Sequence, residues 1–148
     1  MKKFQTIVAI LSLGAALAVS ASAEEVNAAV KEAAKVDVKK VCDVKANGLE
    51  KVLAVAEKYN PEAVKLGVEF KRLGITNSVY IKGVKEAIKA KKPEVTLHYK
   101  SKGQEKSKTF KTDYAAWRAC HFAVRALQQV NEAQSTWRMA VPGDGYKF

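Results

Sequence analysis

Apolar positions recur every three or four residues through most of the chain and every second residue in one short later stretch. Over 24–46, Val26, Val30, Ala34, Val38, Val41 and Val44 fall on one face of a helix. Glu24 and Glu25 sit in its first turn, where carboxylates suit the helix dipole, and Asn47-Gly48 supplies a stop. A second helix is expected over 49–59, with Leu49, Val52, Leu53 and Ala56 inward. Asn60-Pro61-Glu62 reads as a restart, with Asn as N-cap and Pro at the first helical position. The third helix then carries Ala63, Leu66, Phe70 and Leu73 on one stripe and stops at Gly74. A fourth begins near Thr76 to Ser78, presents Ile81, Val84 and Ile88, and ends before Pro93.

The period then changes to two. Val95, Leu97 and Tyr99 alternate with Thr96, His98 and Lys100, the signature of a half-buried strand. If Lys102-Gly103 closes a two-residue hairpin, Ser101 pairs with Gln104 and Val95 falls opposite Phe110, so that both apolar residues share a face. Thr112-Asp113 caps a long helix over 114–134. Trp117, Cys120, Val124, Leu127 and Asn131 form its expected inner stripe, with Tyr114 and Val130 beside it. Trp137, Met139 and Val141 alternate again and suggest a third strand returning to the hairpin. The fold class expected is α+β and mostly helical, with about five helices and a small antiparallel sheet.

The first residues follow another logic. Lys2 and Lys3 precede an uncharged apolar run from Ile7 to Val19, and Ala21-Ser22-Ala23 follows with small side chains. This is the layout of a secretory signal peptide, with cleavage expected after Ala23 and Ala21 as the alternative. The run is shorter than the roughly 20 residues a membrane-spanning helix needs. The expectation is therefore a signal segment over 1–23 and one globular domain over 24–148, exported to the periplasm or secreted. No later segment of that domain is long and apolar enough to span a bilayer.

Cysteine usage agrees with export. The chain holds two cysteines, Cys42 and Cys120, and in an oxidising compartment an even pair implies a disulfide. The pair is too far apart in sequence for a Cys-x-x-Cys redox motif. With two histidines, His98 and His121, there is no finger-like metal spacing, and no metal site or cofactor is called for. His98 is expected on the solvent face of its strand and His121 beside the core. Nucleotide, hydrolase and metalloprotease motifs are missing, as is a haem-attachment motif, so no catalytic residue is assigned.

Charge is the uneven feature. The 148 residues carry 26 Lys+Arg against 15 Asp+Glu, a formal net charge of +11. Residues 82–111 alone hold ten lysines against three glutamates, whereas 24–81 and 112–148 are each nearly balanced. Lys82, Lys85, Lys89 and Lys92 recur at helical spacing; Lys100, Lys102, Lys106, Lys108 and Lys111 follow on the hairpin. Such lysines protect a hairpin edge from unwanted strand pairing, or they bind a polyanion. Lysine is a point charge without the bidentate fork of arginine, which favours a diffuse, salt-sensitive contact. The leading expectation is a non-catalytic binding or accessory protein that uses these lysines against an anionic envelope component or an acidic protein. Compartment and lysine chemistry both argue against nucleic acid. A free hairpin edge leaves a homodimer open. The alternatives are a periplasmic chaperone or envelope-stress protein, and a small enzyme whose pocket is assembled from scattered residues.

Overall fold

The computed structural model of the chain describes residues 27–136. The expected signal segment and the third strand expected over 136–141 (all but Thr136) lie outside the described residues. In chain order the elements are α1 (27–34), α2 (Val38–Val41), α3 (Val44–Asn47), α4 (Leu49–Lys65), β1 (Lys71–Arg72), β2 (Ile75–Thr76), α5 (Asn77–Lys89), β3 (Glu94–Ser101), β4 (Gln104–Lys111) and α6 (Thr112–Thr136). The fold is α+β and mostly helical, with two separate two-stranded antiparallel sheets, β1–β2 and β3–β4.

The single helix expected over 24–46 is instead three short ones. Asp37 and Asp43 break it, because each carboxylate caps the helix that follows. Asp37 Oδ1 accepts from the Lys39 and Lys40 amides at 3.1 and 3.3 Å. Asp43 Oδ1 accepts from those of Lys45 and Ala46 at 2.9 and 3.3 Å. A short acidic side chain competes with the helical ladder for backbone donors and so favours caps over helix interiors. The bends still leave Val30, Ala33, Val38 and Cys42 buried, which is why apolar spacing alone did not reveal them. The carbonyls at the end of α1 are satisfied from α6: Gln128 Nε2 donates to the Ala33 and Val36 oxygens at 3.0 and 2.9 Å.

The restart expected at Asn60-Pro61 is also absent: α4 runs through Pro61 as one 17-residue helix. Asn60 is buried and acts as a bridge rather than a cap. Its Oδ1 accepts from Asn77 Nδ2 at 2.9 Å, and its own Nδ2 donates to Ser78 Oγ at 3.0 Å and Glu69 Oε1 at 3.2 Å. Asn77 Nδ2 also donates to the Ala119 carbonyl at 2.9 Å, tying α4, α5 and α6 together through a buried amide pair. Glu69 in turn accepts from the Ser78 amide at 2.6 Å, in the first turn of α5.

Gly67, not Gly74, stops α4. At φ 69° it lets the Val68 amide reach the Ala63 carbonyl at 2.9 Å and its own amide reach Val64 at 3.0 Å, the paired bonds of a Schellman motif. Phe70 and Leu73, expected on a helical stripe, therefore lie past the helix and are exposed. β1 and β2 close around Leu73-Gly74, with Arg72 opposite Ile75.

α5 begins where the sequence places it and buries Asn77, Tyr80, Val84 and Ala87, while Ile81 and Ile88 are half-buried. It lies close against β3: a Cβ on Gly83 would come within 2.3 Å of Leu97 Cδ2 and 2.9 Å of Val95 Cγ2. The main hairpin has the expected register, Ser101 opposite Gln104 and Val95 opposite Phe110.

α6 is the central helix. Thr112 anchors its start, with its amide on the Pro93 carbonyl and its hydroxyl on the Lys92 carbonyl, both at 2.8 Å. Cys120, Val124 and Leu127 are buried as expected, but Trp117 is 39% and Tyr114 43% exposed. The buried arc is rotated towards Ala115, Ala116, Ala119, Ala123 and Ala126. Alanines let neighbouring helices approach closely, and a bulky indole on that face would hold them apart. Cys42 and Cys120 are disulfide-bonded, with Cα atoms 5.6 Å apart and both residues buried.

Candidate functional site

All nine lysines singled out in the sequence are exposed, but they do not share one face. Lys85 turns towards α4, where its Nζ meets Glu57 at 2.7 Å. Among the described residues no other member of the set is held in an ion pair. Lys92 and Lys111 are brought together at the open end of the hairpin, since the Lys92 carbonyl receives the Thr112 hydroxyl and Lys111 pairs with Glu94 across the strands. Lys100 and Lys102 lie at the opposite end.

β3 and β4 differ sharply in burial. β3 alternates, burying Val95 and Leu97, whereas β4 is exposed at every position except the half-buried Phe110. Lys108 and Lys106 stand opposite Leu97 and Tyr99 and so share the face that β3 turns towards the core. A second strand built for packing would carry apolar residues there. Lys108 Nζ lies 5.4 Å from the Phe110 ring centroid. His98 is on the opposite, exposed face, as expected. It borders a shallow recess of about 360 Å³ at the hairpin surface with Glu105 and Lys106.

From Phe110 the surface continues as an aromatic ridge along α6. Phe110–Tyr114, Tyr114–Trp117 and Trp117–His121 ring centroids are 5.9, 5.7 and 5.1 Å apart. The ridge turns through Phe122, which stacks on Phe70 at 3.7 Å. The Arg118 guanidinium lies 4.8 Å from the Phe122 ring and 5.1 Å from Tyr80, and donates to the Tyr114 hydroxyl at 3.0 Å. Burial raises the Tyr80 phenol above its ordinary value. Sequence reasoning missed this ridge. The signal was available in the spacing of Tyr114, Trp117 and His121 by three and four, but the larger residues were assigned to the core in preference to the alanines between them.

The ridge borders a second recess of about 470 Å³, closed on the other side by Lys39, Asp43, Val44 and Lys45. His121 shares this recess with the carboxylates of Asp43 and Asp113. Asp43 uses Oδ1 to cap α3. The His121 ring is held by packing on Trp117 at 5.1 Å and edge-on to Phe122 at 6.5 Å, and its buried Nδ1 meets no carboxylate among the described residues. Burial, with a smaller contribution from Arg125, lowers the His121 pKa and favours the neutral ring. Among the described residues, no three His, Cys, Asp or Glu side chains converge as a metal site. Nor is any described helix long and apolar enough to cross a membrane. Comparisons with protein-family models, curated proteins and solved structures find no match.

Proposed function

We propose that this chain is an exported, non-catalytic binding protein that presents the lysines of the β3–β4 hairpin and the end of α5 to an anionic partner. The observation that carries the reading is the asymmetry of the hairpin. β3 is spent on the core, while β4 places Lys106 and Lys108 on the same face as Leu97 and Tyr99 and leaves them in solvent. Lys102 and Lys111 extend that positive edge to both ends of the strand. The buried Cys42–Cys120 bond is compatible with an extracytoplasmic location, and the N-terminal pattern supports a periplasmic or secreted one.

The test is binding of a labelled polyphosphate, followed by fluorescence anisotropy at about 50 and about 200 mM salt, by the chain from Glu24 onward. That chain retains every described element. The wild type is expected to bind at low salt and to weaken steeply as counterions compete. Changing Lys102, Lys106, Lys108 and Lys111 to Gln is expected to weaken binding and flatten the salt slope. No binding by the wild type, or equal binding by the variant, would leave these lysines as solubility charges and overturn the proposal.

A further inference from the structure

We infer that the anionic partner is a lipid surface, engaged by an apolar tip at Leu73 set among basic residues. This rests on the reading of the lysines given above and narrows it. Leu73 and Gly74 are the two central residues of the β1–β2 turn, with φ of 54° and 89°. Tight hairpin turns with two positive φ values favour Asn-Gly, because asparagine tolerates the left-handed region and projects a polar side chain. Here the first position is leucine, 69% exposed, the most exposed of the large hydrophobic side chains among the described residues. The turn requires the left-handed backbone at this position but not a leucine there, so an unburied apolar side chain stands where a polar one would close the turn at less strain.

The surroundings of the tip are basic. Lys71 and Arg72 precede it and are exposed. Gly74 packs against the far end of β3, where an added Cβ would meet the Lys100 carbonyl at 2.8 Å and Ser101 Cβ at 3.3 Å. The Leu73-Gly74 turn is thereby placed beside the Lys102-Gly103 turn, which also has two positive φ values. One turn thus presents leucine and its neighbour lysine. Lys71 and Arg72 adjoin the apolar tip on its own hairpin, and Lys102 follows Ser101, the residue that Gly74 faces, whereas the Lys100 side chain alternates with Tyr99 and Ser101 onto the other face of β3. A soluble polyanion satisfies the charges but offers no phase in which to bury leucine. An anionic bilayer supplies both, with phosphates for the cations and an acyl boundary for the side chain.

The test is sedimentation of the chain from Glu24 onward with phosphatidylglycerol vesicles and with phosphatidylcholine vesicles. Omitting 1–23 removes an apolar run that would itself enter lipid. The wild type is expected to prefer the anionic vesicles by at least about tenfold. Leu73→Asn is expected to bind them about tenfold more weakly, while melting no earlier than the wild type, since asparagine suits the turn. Lys71→Gln with Lys102→Gln is expected to cost about fivefold per charge at low salt, as each basic residue near an anionic surface contributes to binding. The same Leu73→Asn protein should bind soluble polyphosphate as well as the wild type does, which separates this inference from the broader one. Polyphosphate binding without vesicle binding would overturn the lipid assignment and leave the anionic-partner reading standing. Equal vesicle binding by Leu73→Asn would overturn it as well. A wild-type dimer that becomes monomeric in Leu73→Asn would assign the tip to self-association instead.

Discussion

Opening the Cys42–Cys120 bond should remove more stability than any single side chain in the core. The bond joins the C-cap of α2 to the middle of α6 across a sequence separation of 78. In the chain-entropy account, releasing a loop of that length returns about 15 cal/mol/K to the unfolded chain, or about 4.5 kcal/mol at 25 °C. The total stability of a domain this size is of the order of 5–15 kcal/mol. At roughly 4 °C per kcal/mol for a chain of this length, reduction should lower the melting temperature by about 18 °C. Thermal melts followed by circular dichroism, with and without a reductant, measure the shift. Cys42→Ala with Cys120→Ala should melt slightly below the reduced wild type, because both sulfurs are fully buried and their removal also loosens packing. The urea dependence should be steeper without the cross-link, since the freed unfolded chain exposes more surface. Oxidised and reduced proteins melting within about 3 °C of each other would refute the loop-closure reasoning.

Two other expectations concern the buried polar groups. Asn77→Ala removes the donor to both Asn60 and Ala119. The Ala119 carbonyl keeps its helical bond within α6, so the stranded acceptor is the buried Asn60 oxygen, and the change should cost about 1–3 kcal/mol by urea denaturation; a loss under about 0.5 kcal/mol would mean that water replaces the amide. His121 has a folded pKa below the ordinary 6.5 because it is buried, so the unfolded chain takes up a proton that the folded one resists. Stability should thus be unaffected by His121 above pH 6.5 and decline as pH falls from there through the folded pKa. His121→Gln should flatten that decline in urea midpoints compared at pH 7.5 and 5.5, and an unchanged slope would remove His121 as its source. Glu32, whose pKa is lowered chiefly by its hydrogen bond to Lys58, acts in a separate window below pH 4.5.

Legibility in the sequence followed the range of the interactions involved. The main hairpin was readable because its register depends on a two-residue turn and a period-two pattern, both local. The disulfide was readable because two cysteines allow one intramolecular pairing. The breaks at Asp37 and Asp43 and the stop at Gly67 were written in local capping chemistry, but a hydrophobic period that continued across them hid all three. Pro61 misled in the other direction: a strong local signal was overridden because Asn60 has a buried partner in Asn77, a residue 17 positions away. The nine lysines were legible as a charge excess, though not in how they divide between the α4 side of α5 and the two ends of the hairpin.

The fold class, the hairpin register, the cysteine pair and the stretch of chain that carries the positive charge were all written in the linear pattern of residues. These follow from residue type, spacing and short-range backbone preference. Which face of α6 is buried was settled by packing, because helix approach distance favoured five small alanines over Tyr114 and Trp117. Packing also set Leu73 at an exposed turn whose Gly74 lies against Ser101, next to Lys102. That juxtaposition requires β2 to pack against the end of β3, a contact between segments nearly thirty residues apart that no local pattern encodes.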